Sequence, residues 1–105
     1  MEFKGKKVML TGAGKGIGRA VAEILVERVA QVYAMTRSAD DVASLRNDLG
    51  IEAVQVDLAD VDATRAAAKA GLPCDFLINN AGTTELQSFL DTTVEAFDRL
   101  VAVNT

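Results

Sequence analysis

The chain has 105 residues, half of them hydrophobic and a quarter charged, with a formal net charge of −4. That balance argues for one folded domain with a real core, against a disordered polymer, and against any general attraction to nucleic acid or an anionic membrane surface. A single cysteine, Cys74, and the lack of histidine rule out an internal disulfide, disfavour a zinc site and fit a cytoplasmic setting; no apolar run approaches the roughly 18 residues of a membrane span, and the opening MEFKGKKVML is too short and mixed for a signal peptide.

The first apolar run, Val8-Met9-Leu10, leads into TGAGKGIG, Thr11 to Gly18. Beyond it Ile17, Ala20, Val21, Ile24, Leu25 and Arg28 follow helical spacing, which predicts a helix whose apolar members face inward. The second run is Val32-Tyr33-Ala34-Met35. Ser38 followed by Asp41 predicts a helix start, with Val42, Leu45 and Leu49 facing inward and Gly50 closing it. Ala53-Val54-Gln55-Val56 is the third run, and Asp60 caps an alanine-rich helix that stops near Gly71, with Pro73 beyond. Phe76-Leu77-Ile78 is the fourth run, and Thr92-Thr93-Val94-Glu95 fits a capping box for a fourth helix with a stripe of Val94, Phe97 and Val101. Short, nearly all-apolar strands alternating with amphipathic helices predict an α/β chain: a doubly wound parallel sheet, Rossmann-like, with helices on both faces, as a single domain over residues 1–105.

Four glycines in eight residues can make a plain strand-to-helix turn or a loop for close approach to phosphate. A helix N-terminus aims unpaired N–H groups and partial positive charge at what precedes it. Gly12 can make the turn, Gly16 can let the backbone approach a diphosphate, and Gly18 can let the helix lie close to the sheet. Thr11 with Gly12, Thr36 with Arg37, Asp57, and Asn79 with Asn80 all fall at the carboxyl ends of predicted strands. In an open parallel sheet those ends share one edge, where ligands bind. Read singly, Asp57 could be a helix-entry residue and Asn80-Ala81-Gly82 a simple turn.

The spacing Thr-Gly, three residues, Gly, one residue, Gly resembles the short-chain dehydrogenase/reductase family. Asp57, Asn79-Asn80-Ala81-Gly82 and Asn104 stand in register with that family's other landmarks, so the resemblance spans the chain. It implies a strand order of 3-2-1-4 and a dinucleotide held around Gly12, Lys15, Gly16, Ile17 and Gly18. It further implies that Asp57 and the backbone of Leu58 hold the adenine amino group, that Asn79 and Ala81, with Gly82, line the path from ribose to nicotinamide, and that Asn80 braces neighbouring strands.

After the second strand, an NAD-selective fold usually offers an acid to the ribose 2′-hydroxyl. This chain has Met35-Thr36-Arg37-Ser38 instead, and Arg37 can pair with a 2′-phosphate, with Lys15 adding a second positive charge. The pair resembles the NADP(H)-preferring carbonyl-reductase and xylulose-reductase branch, as do GAGKGIGR, Val56-Asp57-Leu58 and the EAFDR at Glu95 to Arg99. NADP(H) is therefore expected over NAD(H), with a small carbonyl or alcohol as substrate.

Members of the family use a tyrosine, a lysine four residues later, a serine and an asparagine. Of these only the asparagine has a counterpart, Asn104, expected on the buried face of the last helix. The sole tyrosine, Tyr33, has Arg37 four residues on and reads as core packing. The chain is thus expected to be a cofactor-binding half that ends inside a helix, ahead of the catalytic half, and to be inactive alone. Without a fifth strand, Phe76-Leu77-Ile78 would form an open apolar edge and promote self-association. Val29 stands where the family's helix end carries glycine, so either the cap differs or stability is lost. Three readings remain open on sequence: the binding half of an oxidoreductase, a nucleotide-binding module or engineered half-fold without turnover, and a structural protein without ligand.

Overall fold

The computed structural model describes residues 2–80 and, as backbone, 101–104. The elements run β1 (Lys7–Thr11), α1 (Gly16–Glu27), β2 (Gln31–Thr36), α2 (Ala39–Leu49), β3 (Glu52–Gln55), α3 (Val61–Ala70), β4 (Phe76–Asn79) and β5 (Val101–Asn104). All pairings are parallel, in the order β3-β2-β1-β4-β5. The 3-2-1-4 order of the first four strands holds.

Alternation along the strands divides the core in two. Val8 and Leu10 of β1, Val32 and Ala34 of β2, and Ala53 of β3 pack with Ala22 and Leu25 of α1 and Val42 and Leu45 of α2. Met9, Tyr33, Met35 and Leu77 point the other way, onto a cluster that includes Ala68 of α3. Val8, Met9 and Leu10 are all fully buried, which is why the central strand reads as a continuous apolar run rather than an alternating one. At the β3 edge, the Arg46 guanidinium donates to the Ala53 carbonyl from Nε at 3.1 Å and Nη2 at 2.6 Å, tying α2 to this edge strand. Among the described residues no helix is long and apolar enough to cross a membrane.

Three expectations are corrected. In α1 the buried residues are Gly18, Ala22 and Leu25, whereas Ile17 and Ile24 are 70% and 51% exposed. The helix is apolar on more than one side, and the face against the sheet is the one that carries Gly18 and Ala22, whose small size permits the closest approach. Residues 101–104 form a strand rather than the end of a helix; Val101 and Val103 are β-branched and pair with Phe76 and Ile78. Phe76-Leu77-Ile78 is consequently not a sheet edge, and the self-association expected through it loses its basis. The capping box at residues 92–95 lies outside the described residues.

The other two helix starts are as expected. Ser38 Oγ accepts from the Asp41 N–H at 3.3 Å, Asp60 Oδ1 accepts from the Ala63 N–H at 3.1 Å, and Gly50 ends α2 at φ 66°. Helix α1 ends in a Schellman turn: the Ala30 N–H donates to Leu25 O and the Val29 N–H to Val26 O, both at 3.0 Å. The residue at the left-handed position is Val29, at φ 62° and 61% exposed, a conformation that crowds a β-branched side chain and returns little burial. Val29→Gly should therefore raise stability by about 1 kcal/mol, seen as a melting temperature about 5 °C higher; no gain would show that the turn carries no strain.

Tyr33 is 2% exposed, and its hydroxyl donates to the Ala67 carbonyl at 2.6 Å, serving one of the last-turn acceptors of α3. Burial, and secondarily the negative Glu52, raise the Tyr33 pKa above its ordinary 10.0. The folded state holds this proton more tightly than the unfolded chain, so its stabilising contribution is complete below pH 10 and is lost as pH rises through the folded value. Urea titrations from pH 8 to 11 should show a steeper alkaline loss of stability for the unaltered chain than for Tyr33→Phe; parallel curves would contradict this.

Candidate nucleotide-binding edge

The parallel register brings the strand ends level. Thr11 pairs with Met35 on one side and Asn79 on the other, and Thr36 pairs with Gln55. Thr11 Oγ1 donates to Asn79 Oδ1 at 2.9 Å, with both side chains buried, which fixes the ends of β1 and β4 to one another. The chain then leaves β1 at Gly12, whose φ of 68° turns it out of the sheet while its N–H reaches back to Met35 O at 2.9 Å. Asn80 Nδ2 donates to the Gly12 carbonyl at 3.3 Å, the bracing contact expected of Asn80. A Cβ on Gly18 would fall on that same carbonyl, so glycine is what lets α1 begin this close to the loop.

The N-termini of the three described helices differ in kind. Helix α2 has Ser38 as its cap and Asp40 and Asp41 in its first turn; α3 has Asp60 as its cap, followed by Asp62. Helix α1 has Lys15 at its N-cap position, with no side-chain cap and no acid in its first turn. Its leading N–H groups and the positive end of its dipole are left without a capping side chain or an acid of the helix's own, as binding of an external anion requires.

Next to this terminus lies an open cleft of about 430 Å³. Gly12, Gly14 and Lys15 form one wall, Thr36 and Arg37 a second, and Asp57 and Leu58 a third. The cleft thus gathers Gly12, Lys15, Thr36, Arg37, Asp57 and Leu58 from the ends of three strands and the loops that follow them. The Lys15 and Arg37 side chains form no hydrogen bond or ion pair among the described residues. Asp57 Oδ1 accepts from the Ala59 N–H at 3.0 Å and its carbonyl from the Asp60 N–H at 2.9 Å, so the residue also shapes the entry to α3.

Other expected residues stand outside the cleft lining. Gly16 and Ile17 open α1, and Gly18 and Asn79 serve packing and strand pairing. Ala81 and Gly82 lie outside the described residues. Asn104 belongs to β5, not to a helix, opposite Asn79 in register. Sequence reasoning missed Gly14, Ser38 and Asp41, which also line the cleft. Ser38 and Asp41 read as a helix start, which they are, and that role hid their position facing the loop. Tyr33 is remote from this chemistry, its pKa raised where a general acid near neutral pH needs it lowered.

The loop, the strand order and the cleft have counterparts among known proteins. Residues 6–105 match the model of the short chain dehydrogenase family. The chain belongs to that family. It is 50% identical over 105 residues to D-erythrulose reductase of Gallus gallus, covering 99% of this chain and 43% of that protein. To carbonyl reductase (NADPH) 2 of Sus scrofa it is 48% identical over 105 residues, with 99% and 43% covered. A solved short chain dehydrogenase/reductase family protein superposes with a TM-score of 0.84 at 24% identity, over 99% of this chain and 56% of that one, and so shares the fold. The chain therefore spans less than half the length of these curated relatives. It is a member of an oxidoreductase family with a doubly wound α/β fold.

The contact between α1 and the loop is backbone against backbone and has no side chain free to swing away. Gly18→Ala should cost roughly 1–3 kcal/mol of stability in urea titration, and a variant as stable as the unaltered chain would refute the close approach.

Proposed function

We propose that this chain is the cofactor-binding part of an NADP(H)-dependent oxidoreductase that moves hydride between nicotinamide and a small carbonyl or alcohol. The observation that carries the reading is the pairing of an uncapped α1 N-terminus with a cleft where Lys15 and Arg37 stand uncompensated by any ion pair among the described residues. In this reading the diphosphate lies over Gly12, Gly16 and the first N–H groups of α1, and the exposed Ile17 side chain packs against the cofactor. Arg37, supported by Lys15, takes the 2′-phosphate, and Thr36 closes the end of β2 beneath it. Asp57 and the Leu58 backbone take the adenine amino group. Asn79, Ala81 and Gly82 border the route towards nicotinamide, with Asn104 as a polar support beside Asn79.

The bound dinucleotide would supply the hydride; the residues of this chain bind and orient it. A free buried thiol at Cys74, its pKa raised chiefly by burial, fits a cytoplasmic location. The pig relative carries NADPH in its name, in agreement with the arginine at the end of β2. A second reading, binding without turnover by these 105 residues alone, is favoured by the burial of Tyr33, the only tyrosine.

Calorimetric titration with NADPH and NADH tests the proposal. NADPH should bind more tightly, and Arg37→Asp should weaken it roughly tenfold to a hundredfold, the worth of a charge-assisted hydrogen bond of about 1.5–3 kcal/mol, while affecting NADH much less. Binding of neither nucleotide would overturn the reading; tighter binding of NADH would overturn the choice of NADP(H).

A further inference from the structure

The first turn of α2 carries two acids, and they are not equivalent. Asp41 lines the cleft and Asp40 does not. A Cβ on Gly14 would fall on the Asp41 carboxyl group, so this carboxylate rests on the backbone of the glycine loop. Gly14 has no left-handed φ, and the reason for glycine there is this contact rather than backbone freedom. The Asp41 carboxylate forms no hydrogen bond or ion pair among the described residues. Asp57 also lines the cleft, but its carboxylate accepts from the Ala59 N–H; Asp41 is thus the third charge there without a hydrogen bond or ion pair among the described residues, and the other two, Lys15 and Arg37, are positive.

The three charges act differently on the two nucleotides. A 2′-phosphate is drawn to Lys15 and Arg37 but repelled by a carboxylate held in the same cleft. A ribose 2′-hydroxyl gains little from the cations yet can donate a hydrogen bond to a carboxylate. Dinucleotide folds usually bring that acid from the end of the second strand. Here the end of β2 is basic, and the acid arrives from the helix that follows.

Resting on the cofactor reading above, we propose that Asp41 is a specificity-determining residue: it moderates the preference for the 2′-phosphorylated dinucleotide and keeps the non-phosphorylated one as an accepted ligand. Gly14 is the residue that gives its carboxylate room to do so.

The test is titration of the chain with NADPH and NADH, for the unaltered protein and for Asp41→Asn, Asp40→Asn and Asp41→Glu, each first shown to be folded by its thermal melt. Asp41→Asn should raise the NADPH-to-NADH affinity ratio roughly threefold to tenfold, and the gain should shrink at 1 M salt, where the screening length is about 3 Å. Asp40→Asn removes the same charge from the same helix turn and should leave the ratio within about twofold. Asp41→Glu keeps the charge and should hold the ratio near that of the unaltered chain. A ratio that is unmoved or lowered in Asp41→Asn, or moved equally in Asp40→Asn, overturns the proposal while leaving the cofactor reading intact. Binding of neither nucleotide by the unaltered chain overturns both.

Discussion

The geometry of the strand-end edge depends on the approach of the Gly18 backbone to the carbonyl of Gly12. That carbonyl also receives the Asn80 amide, and one residue earlier on each strand the Thr11 hydroxyl meets the Asn79 side chain. Five residues, Thr11 and Gly12 where β1 ends, Asn79 and Asn80 where β4 ends, and Gly18 of α1, thus form a knot that no side chain at position 18 could enter. It sets where α1 starts, which direction its dipole points, and how far the loop stands from the neighbouring strand ends. The cleft exists because the loop is held back by this knot on one side while β2 and β3 run past it on the other.

Charge placement then gives the edge its character. The chain as a whole is acidic, with a net charge of −4, so attraction of an anion has to be local. Two helices neutralise their own N-termini with Ser38 and Asp60 caps and first-turn acids, and α1 does not. Lys15 and Arg37 reinforce that one positive terminus from opposite walls. Asp41 sets an unbonded acid against that positive charge, and its contact with Gly14 makes it part of the loop's surroundings as much as part of its own helix.

The strands were legible because β1 to β4 each show a short apolar run, and the glycine spacing marked the loop between β1 and α1. The α1 face was not legible. Ile17, Ile24 and Leu25 are all apolar, and periodicity cannot choose among them when closeness of packing, through Gly18 and Ala22, decides. Residues 101–104 were misread because Val101 continues a helical stripe from Val94 and Phe97, while pairing with β4 is a long-range effect that no local window contains. Val29 was flagged by sequence alone as a poor helix terminator, and the chain accepts the left-handed conformation rather than avoiding it. On the cleft, Arg37 and Asp57 could be read from strand ends and Lys15 from the glycine loop; Asp41 could not, because a first-turn acid is already explained by its helix.

The position of β1 between β2 and β4 has a consequence for how the chain acquires its shape. Its partner on one side begins at Gln31, but on the other side the Lys7 amide waits for the Asp75 carboxylate, 68 residues along the chain. Closing so long a loop is entropically slow compared with forming the neighbouring β1-α1-β2 unit. During synthesis, which proceeds from the N-terminus, the buried central strand β1 therefore emerges early and spends the making of α2, β3 and α3 with one hydrogen-bonding side unsatisfied. The glycine loop shares that delay, since Asn79 and Asn80, which pin it, arrive on the same late strand. A nascent chain can thus have its first crossover in place and still lack a formed anion site, and protection of β1 from unwanted pairing in that interval falls to solvent, to the ribosome surface or to a chaperone.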